Sequence, residues 1–487
     1  MALDEIRKTK IKKVEELRKS GVDPYPAVSL RTNSIAEALD NYEEWKEKKT
    51  VTLAGRIMAR REHGGSVFFD INDGSGKIQA YIKEDTIDGG KEAFKLFQEL
   101  IDIGDFIELT GELKDTQKKE KTIYVVKYKL LSKALLPLPE KWHGLQDVEE
   151  RLRKRYLDFI FNDESREVVQ KKAVFWNAVR EFHIQHGFLE VETPVLETTT
   201  GGADATPFKT YHNALDIDVY LRISAGELWQ KRLMVAGFEK TFEIGRIFRN
   251  EGMSPEHLQD YTQCEAYWAY ANYEDMYKFL QECYRYAAEK TFGTLKFKIN
   301  GFDIDLGADW PILDYTEEIK KCTGIDIWEA SEKEIKDKLN ELQVLFDIEN
   351  RVRLIDALWK FCRKKIGGPA IVINEPKIIS PLSKTSSKNP DITERFYFII
   401  AGSEMGQGYS ELNDPIDQRE RFEAQEELRK AGDKEAQMND LDFVEALEYG
   451  MPPTAGHGFS ERLFSFLMDK PIRETQIFPL MRPKLEK

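Results

Sequence analysis

Cysteine is scarce in this chain of 487 residues. Cys264, Cys283, Cys322 and Cys362 are the only four, they form no CxxC pair, and no histidine stands at zinc-ligand spacing from them. A disulfide framework and a structural zinc site are therefore poor candidates for what organises the fold. Long apolar runs are also missing. Stretches such as Phe396 to Ala401 have the length of buried strands and fall far short of the ~20 residues a spanning helix needs. The opening MALDEIRKTKIKK is charged where an export signal requires an apolar segment, so a cytoplasmic protein is expected. Positive charge is not in excess either: 72 Lys and Arg against 86 Asp and Glu leave a net charge of −14. No global basic field draws such a chain onto nucleic acid or an anionic membrane, and any nucleic-acid contact has to use a local patch.

What is present suits a soluble multidomain protein. Hydrophobic residues make up 41% and aromatics 11%, enough for real cores, and the length corresponds to about three domains of roughly 150 residues. The first segment reads as a helix with Ile6, Val14 and Leu17 on one face and Lys and Arg on the other, stopped by Gly21. From Val51 to about Leu130 the pattern turns to five short alternating stretches broken by Gly64-Gly65 and Gly74-Ser75-Gly76, which suggests a small β-barrel. Such a barrel can stack bases on Phe68 or Phe69, with Arg60, Arg61 and Gln79 as polar contacts, although those aromatics fit a core equally well. After Leu136-Pro137-Leu138-Pro139 a long α+β region begins. Its strands at YLRIS, KTFEIGRIFRN, TQCEAYWAY and RFYFIIAG lack regular crossover helices, which favours an antiparallel sheet. A charged helical insertion is expected at about 315–365. The expected domains are thus 1–140 and 141–487.

Three segments of the second domain carry chemistry. In FEIGRIFRNEGMSPEHLQDYTQCEAYWAY a strand ends at Arg249 and Glu251, a polar loop holds His257, and a second strand returns through Tyr261, Glu265 and Tyr267. An arginine at such a turn can grip phosphate or carboxylate with its planar fork; a surface Arg249–Glu251 pair is the plainer alternative. In SEMGQGYSELND, Glu404 and Glu411 are candidates for Mg²⁺, which takes one or two carboxylates together with substrate phosphates. In TAGHGFSERL, Gly456 and Gly458 allow close approach of a flat ligand, and Arg462 can cover a purine or hold a phosphate, or else close a salt bridge beside a helix cap.

These segments resemble the three signature motifs of the class II aminoacyl-tRNA synthetases: GFLEVETPVLE with Pro194, FRNE, and GHGFSER. The wider pattern, from GVDPYP through AGRIMARREHGGSVFFDI, GGADATPF and SELNDPIDQRERF to FPLMRP, is similar to the bacterial-type, lysine-specific branch. The resemblance implies an N-terminal OB-fold that binds the anticodon, followed by a catalytic domain built on an antiparallel sheet flanked by helices. It also implies a two-step ligase that activates L-lysine with ATP and Mg²⁺ and passes it to the 3′ end of tRNA(Lys). Residue by residue, Arg60, Phe68 and Gln79 would meet the anticodon. Arg249, Glu251, His257, Tyr261 and Arg462 would bind ATP, with Arg249 catalytic. Gly202, Glu227, Glu265, Tyr267 and Asn413 would bind lysine, and Glu404 and Glu411 would bind Mg²⁺. A homodimer across the first motif is implied as well.

The pattern departs from the branch in three places. LRISAGELW has one residue more before Glu227, the third motif is one residue shorter with Ser460 where glycine is common, and Glu461 stands where aspartate is usual. The length changes are expected to compensate locally and keep lysine specificity. The rival readings are a sister synthetase for aspartate or asparagine, which Glu265 opposes, and a non-catalytic tRNA-binding paralogue, which should have lost one of Arg249, Glu404, Glu411 or Arg462.

Overall fold

The computed structural model describes residues 3–139, 147–203, 205–252, 254–346, 350–430 and 438–484. It divides into two compact units after Asp163. The boundary expected at 140/141 borders and falls on residues outside the described ones, and the short helices between Val148 and Phe161 group with the first unit.

In the first unit, helix α1 (Leu3–Lys19) buries Val14 and Leu17, and Gly21 ends it at a φ of +77°, a conformation glycine adopts without penalty. Five strands follow: β1 (Thr50–His63), β2 (Ser66–Asn72), β3 (Lys77–Lys83), β4 (Phe106–Asp115) and β5 (Lys121–Ser132). They close in the order β1-β2-β3-β5-β4. Helix α2 (Gly90–Leu100) lies between β3 and β4 and buries Phe94, Phe97 and Leu100. Alternation puts Ile78, Ala80 and Ile82 of β3 inside the barrel and leaves Lys77, Gln79, Tyr81 and Lys83 on its outer face.

The second unit is built on eight strands: β6 (Leu189–Glu190), β7 (Lys240–Phe248), β8 (Asp260–Ala269), β9 (Ile312–Asp314), β10 (Ala370–Ile373), β11 (Arg395–Ile400), β12 (Ser403–Ser410) and β13 (Thr454–Ser460). Their order is β9-β10-β11-β12-β13-β8-β7-β6. The central pairs are antiparallel, and the two edge pairs, β9 with β10 and β6 with β7, are parallel. The expected strand at YLRIS stands apart from this sheet: Ile217–Leu221 pairs with Leu196–Glu197 and Lys209–His212 in a separate three-stranded sheet. One face of the main sheet is covered by α3 (Asp163–Gln185) and α4 (Tyr273–Phe292), which pack Phe175, Val179, Leu280 and Tyr284 against Phe242, Phe398 and Phe459. The other face is packed in part, by Leu228, Met234, Phe422 and Phe443 over Tyr267, Ala269 and Tyr409, and it also bears a cavity. Between β9 and β10 lies the helical insertion, with α5 (Tyr315–Thr323), α6 (Glu332–Glu341) and α7 (Arg351–Arg363). Its Ile319, Ile335, Leu339, Leu354 and Leu358 share one core with Val372, Tyr397 and Ile399 of the sheet. Among the described residues no helix is long and apolar enough to cross a membrane.

Candidate active site

The open face of the sheet is shaped by missing side chains. On β13, Gly458 pairs with Glu265 and Gly456 with Tyr267, and on the other flank the same two glycines pair with Gln407 and Tyr409. A Cβ at Gly456 would lie 2.4 Å from Glu411 Oε1 and 2.6 Å from Tyr267 Cε1. The glycines of the third motif thus clear a backbone floor on which Glu265, Tyr267, Tyr409 and Glu411 converge.

Above this floor is a cavity of about 430 Å³, lined by Gly202, Arg249, Glu251, His257, Tyr261, Glu404 and Arg462 among others. Seven of the residues singled out from the sequence therefore meet in one place. Arg249 Nε donates to the Ile223 carbonyl at 3.3 Å, and its guanidinium lies 5.9 Å from the Tyr261 ring centre. Glu251 is tied to the Thr206 amide at 3.3 Å. His257 Nδ1 is 2.7 Å from Ser254 Oγ, and its Nε2 faces Arg462 Nη1 at 3.5 Å. Burial lowers the His257 pKa, and Arg462, Arg363 and Arg249 push it further down against Glu256, so the imidazole is neutral near pH 7. Arg462 Nη2 donates to the Glu404 carbonyl.

Glu404 owes its position to a bulge. The β11–β12 register slips between Phe398 and Ile399, pairing Ile399 with Glu404 but Phe398 with Gly406, so Met405 is the extra residue. Strict alternation over 404–411 would point Glu404 to the face opposite Gln407, Tyr409 and Glu411; with the bulge, all four share the open face. Burial would raise the Glu404 carboxyl, but Arg363, the Trp359 indole, Arg462 and Arg395 outweigh burial and hold it below the usual carboxylate range.

The two glutamates expected to share Mg²⁺ are on one face but not at one point. Seven residues of extended strand separate them by roughly 20 Å. Glu404 lines the cavity, whereas Glu411 is 1% exposed and sits 2.5 Å from Lys231 Nζ. Glu404 faces the cavity, and Glu411 is held by a fixed ammonium. No group of three or more His, Cys, Asp or Glu side chains among the described residues is arranged to hold an ion.

Glu411 belongs to a buried cluster of charged groups, a closed pocket of charge. Lys231, on helix α8 (Glu227–Val235), which precedes β7 in the chain, is 1% exposed and also lies 2.7 Å from Glu227 Oε1. The rings of Tyr267, Tyr409 and Phe443 surround its ammonium at 6.0, 5.4 and 5.8 Å. Burial would lower the Lys231 pKa, but Glu227 and Glu411 outweigh it. Glu265 accepts from the Ala225 amide at 2.8 Å, from Gln263 Nε2, and from Tyr267 OH at 3.3 Å. Burial, with Glu227 next, raises its pKa. Gly202, at φ +87°, would place a Cβ 2.6 Å from Ser224 Oγ and 2.9 Å from Glu227 Oε2. Asn413 accepts from Lys384 Nζ at 2.5 Å and donates to the Met451 carbonyl at 3.1 Å. It is not among the cavity residues, whereas Gln407 is. Lys231, Gln407 and Arg363 were not expected from the sequence. Only the (i, i+4) spacing of Glu227 and Lys231 could have signalled one of them.

The segment LRISAGELW runs beside the pocket. Gly226, at φ +79°, precedes α8, and a Cβ there would lie 2.2 Å from Thr193 Oγ1. The residue before it, Ala225, presents its amide to Glu265. Glu461 points away from the cavity, between Lys172 Nζ and Gln476 Nε2.

On the barrel, Phe68, Tyr81 and Tyr124 form an outer aromatic row, with ring centres 4.6 and 5.1 Å apart. Arg61 pairs with Phe68 across the strands. Gln79 shares this face but is 6% exposed and accepts from Thr122 Oγ1 at 3.0 Å. Arg60 pairs with Phe69 and lies on the other face. Its guanidinium donates to the Ile101 carbonyl and, at 3.0 Å, to the Gln98 carbonyl, closing the C-terminus of α2.

A family model described as tRNA synthetases class II (D, K and N) matches residues 147–482. The chain belongs to the class II tRNA synthetases. An OB-fold nucleic acid binding domain matches residues 51–131 of the synthetase, which coincide with the barrel. The synthetase is 45% identical to a lysine–tRNA ligase of Thermotoga maritima over 99% of this chain and 97% of that protein. It is also 45% identical to one of Carboxydothermus hydrogenoformans over 99% of both, and 44% identical to one of Thermosipho africanus over 99% and 97%.

Proposed function

We propose that this synthetase is a lysine–tRNA ligase, and that the observation carrying the assignment is the charge of the closed pocket. Glu227 and Glu411 hold one internal ammonium, Lys231, and Glu265 is a third buried carboxylate that feels the charge of Glu227. With all three ionised the pocket carries −2, which matches the α- and ε-ammonium groups of lysine. The raised pKa of Glu265 describes the cost of that charge without a cation, and an arriving ammonium reverses it. An aspartate side chain would meet repulsion there, and an uncharged one would leave buried charge unpaired, at a cost of several kcal/mol. The relatives named lysine–tRNA ligase support the same reading.

In the first step a lysine carboxylate oxygen attacks the α-phosphorus of ATP. The new O–P bond forms as the bond to diphosphate breaks, giving lysyl-adenylate. Arg249, between the pocket and the cavity, draws carboxylate and α-phosphate together and stabilises the charge that builds on phosphorus. Tyr261 and Arg462 flank the adenine, and His257 and Glu251 bind in the same cavity. Glu404 would hold magnesium brought in on ATP, where the ion neutralises phosphate charge. A ribose hydroxyl at the 3′ end of tRNA(Lys) then attacks the lysyl carbonyl carbon, the bond to the phosphate breaks and AMP leaves; the anticodon of that tRNA meets the outer face of the barrel at Phe68, with Arg61 beside it and Gln79 beneath. The enzyme acts in the cytoplasm as a homodimer. Ile184, Leu189, Val195 and Leu196 near the first motif are between 42% and 54% exposed, an apolar strip suited to a second copy.

ATP–pyrophosphate exchange with each amino acid in turn tests the assignment. Lysine should support exchange and aspartate and asparagine should not; the reverse pattern would reject it. Arg249→Ala should abolish exchange while tRNA binding stays largely intact.

A further inference from the structure

The insertion contributes to the catalytic cavity. Arg353, Asp356, Trp359, Lys360 and Arg363 of α7 line it, and their spacing puts them on one helical face. Arg363 stands out among them. Its Nε and Nη1 are buried without a hydrogen-bond partner, and its nearest carboxylate oxygen, Glu404 Oε1, is 3.7 Å from Nε. That oxygen already accepts from Trp359 Nε1 at 2.8 Å. Buried guanidinium donors are normally satisfied. The surroundings are also cationic: Arg363 joins Arg462 and Arg249 in depressing the pKa of His257, and it lowers that of Arg462. Three guanidiniums crowded about one neutral imidazole, with Glu256 and Glu404 as the nearby carboxylates, make an environment that a polyanion completes.

We infer that Arg363 is a further phosphate-binding residue, supplied by the insertion, which holds the phosphates that leave as diphosphate when the adenylate forms. This rests on the ligase reading above. Its unpartnered donors face the same cavity as Arg249 and Arg462, and a planar fork accepts two phosphate oxygens at once. The residue touches the leaving group and leaves the amino-acid pocket alone, so its removal should separate the two substrates.

The test is pyrophosphate exchange on the full chain with Arg363→Met and Arg363→Lys, measuring KM for ATP, pyrophosphate and lysine. For Arg363→Met we expect KM for ATP and for pyrophosphate to rise about tenfold or more, with KM for lysine within twofold. Arg363→Lys should recover part of the loss, because it keeps the charge and loses the fork. Unchanged ATP and pyrophosphate constants in a folded Arg363→Met protein would overturn the proposal. A shifted magnesium requirement with an unchanged pyrophosphate constant would also overturn it, since Arg363 would then only orient Glu404. If Arg363→Met fails to fold, Arg363→Lys decides alone: wild-type constants for both phosphate ligands would overturn the proposal, and a selective rise would support it. If the wild-type protein shows no lysine-dependent exchange, it is the ligase reading that fails.

Discussion

Gly456 has no side chain, and the site depends on that. A methyl group there would press on Glu411 Oε1 and on the Tyr267 ring, both under 3 Å from its ideal position. Gly456→Ala should cost roughly 1–3 kcal/mol of stability through overpacking and raise KM for lysine well above any change in KM for ATP. Thermal melts and substrate titrations in the exchange assay would check both. At this scale the sequence was informative about residue type and less so about depth. Arg249, His257, Tyr261, Glu404 and Arg462 were legible because each stands in a turn or strand whose motif points to phosphate chemistry, and they do meet. The contact of Glu411 with a buried lysine was not legible, because spacing along a strand conveys which face a side chain takes and not which neighbour it finds. Lys231 was missed for a related reason. A lysine on a helix normally reads as solvated, and its burial becomes visible only when Glu227 and Glu411 are seen on either side.

At the scale of elements, α3 and β13 meet through a buried histidine pair. His183 Nδ1 donates to the Val179 carbonyl at 2.8 Å, which leaves Nε2 to accept from His457 Nε2 at 3.2 Å. Burial lowers the His183 pKa to about 4 and drives that of His457 lower as well, with His183 adding to the effect. A base whose folded pKa lies below its unfolded value binds more protons when unfolded, so stability falls as pH drops from 6.5 toward 4. For His183 the loss is on the order of 3 kcal/mol across that window. Denaturant midpoints of the wild type should fall between pH 6.5 and 4 more steeply than those of His183→Phe; equal slopes would count against the pair. The barrel strands and the insertion helices were readable from period alone, since alternation and helical spacing each survive in a single chain. The placement of Ile217–Leu221 in a side sheet was not, because strand pairing is settled by contacts distant in sequence.

For the whole molecule, the net charge of −14 turns into a question of where the cations remain available. Part of the basic face of α1 is spent internally: Lys10 is 8% exposed, and Lys13 pairs with Asp102 at 2.7 Å. Arg60 is committed to α2. Arg7, Lys8, Lys12, Arg18, Lys19 and Arg61 stay exposed. Binding of tRNA should therefore weaken with added salt, through the few counterions those groups release. Phe68→Ala should cost about 1–3 kcal/mol of tRNA affinity, the worth of one stacked base, at every salt concentration and with no change in the salt slope. Filter binding of both proteins across a salt series would check this. A changed slope would mean that Phe68 acts through the charges around it.

The bulge at Met405 also governs how this chain can vary in length. An added residue before α8 has an outlet in the left-handed Gly226, where the backbone turns just ahead of the helix. Deleting one residue of β12 between Gln407 and Glu411 has no such outlet. With Tyr409 and Glu411 held in place, it would invert the alternation beyond them, swing Glu404 from the cavity into the packed side of the sheet, and bury an acid among phenylalanines. Lineages descended from this protein can therefore drift by insertion at the mouth of the pocket, while the strand beneath it keeps its residue count.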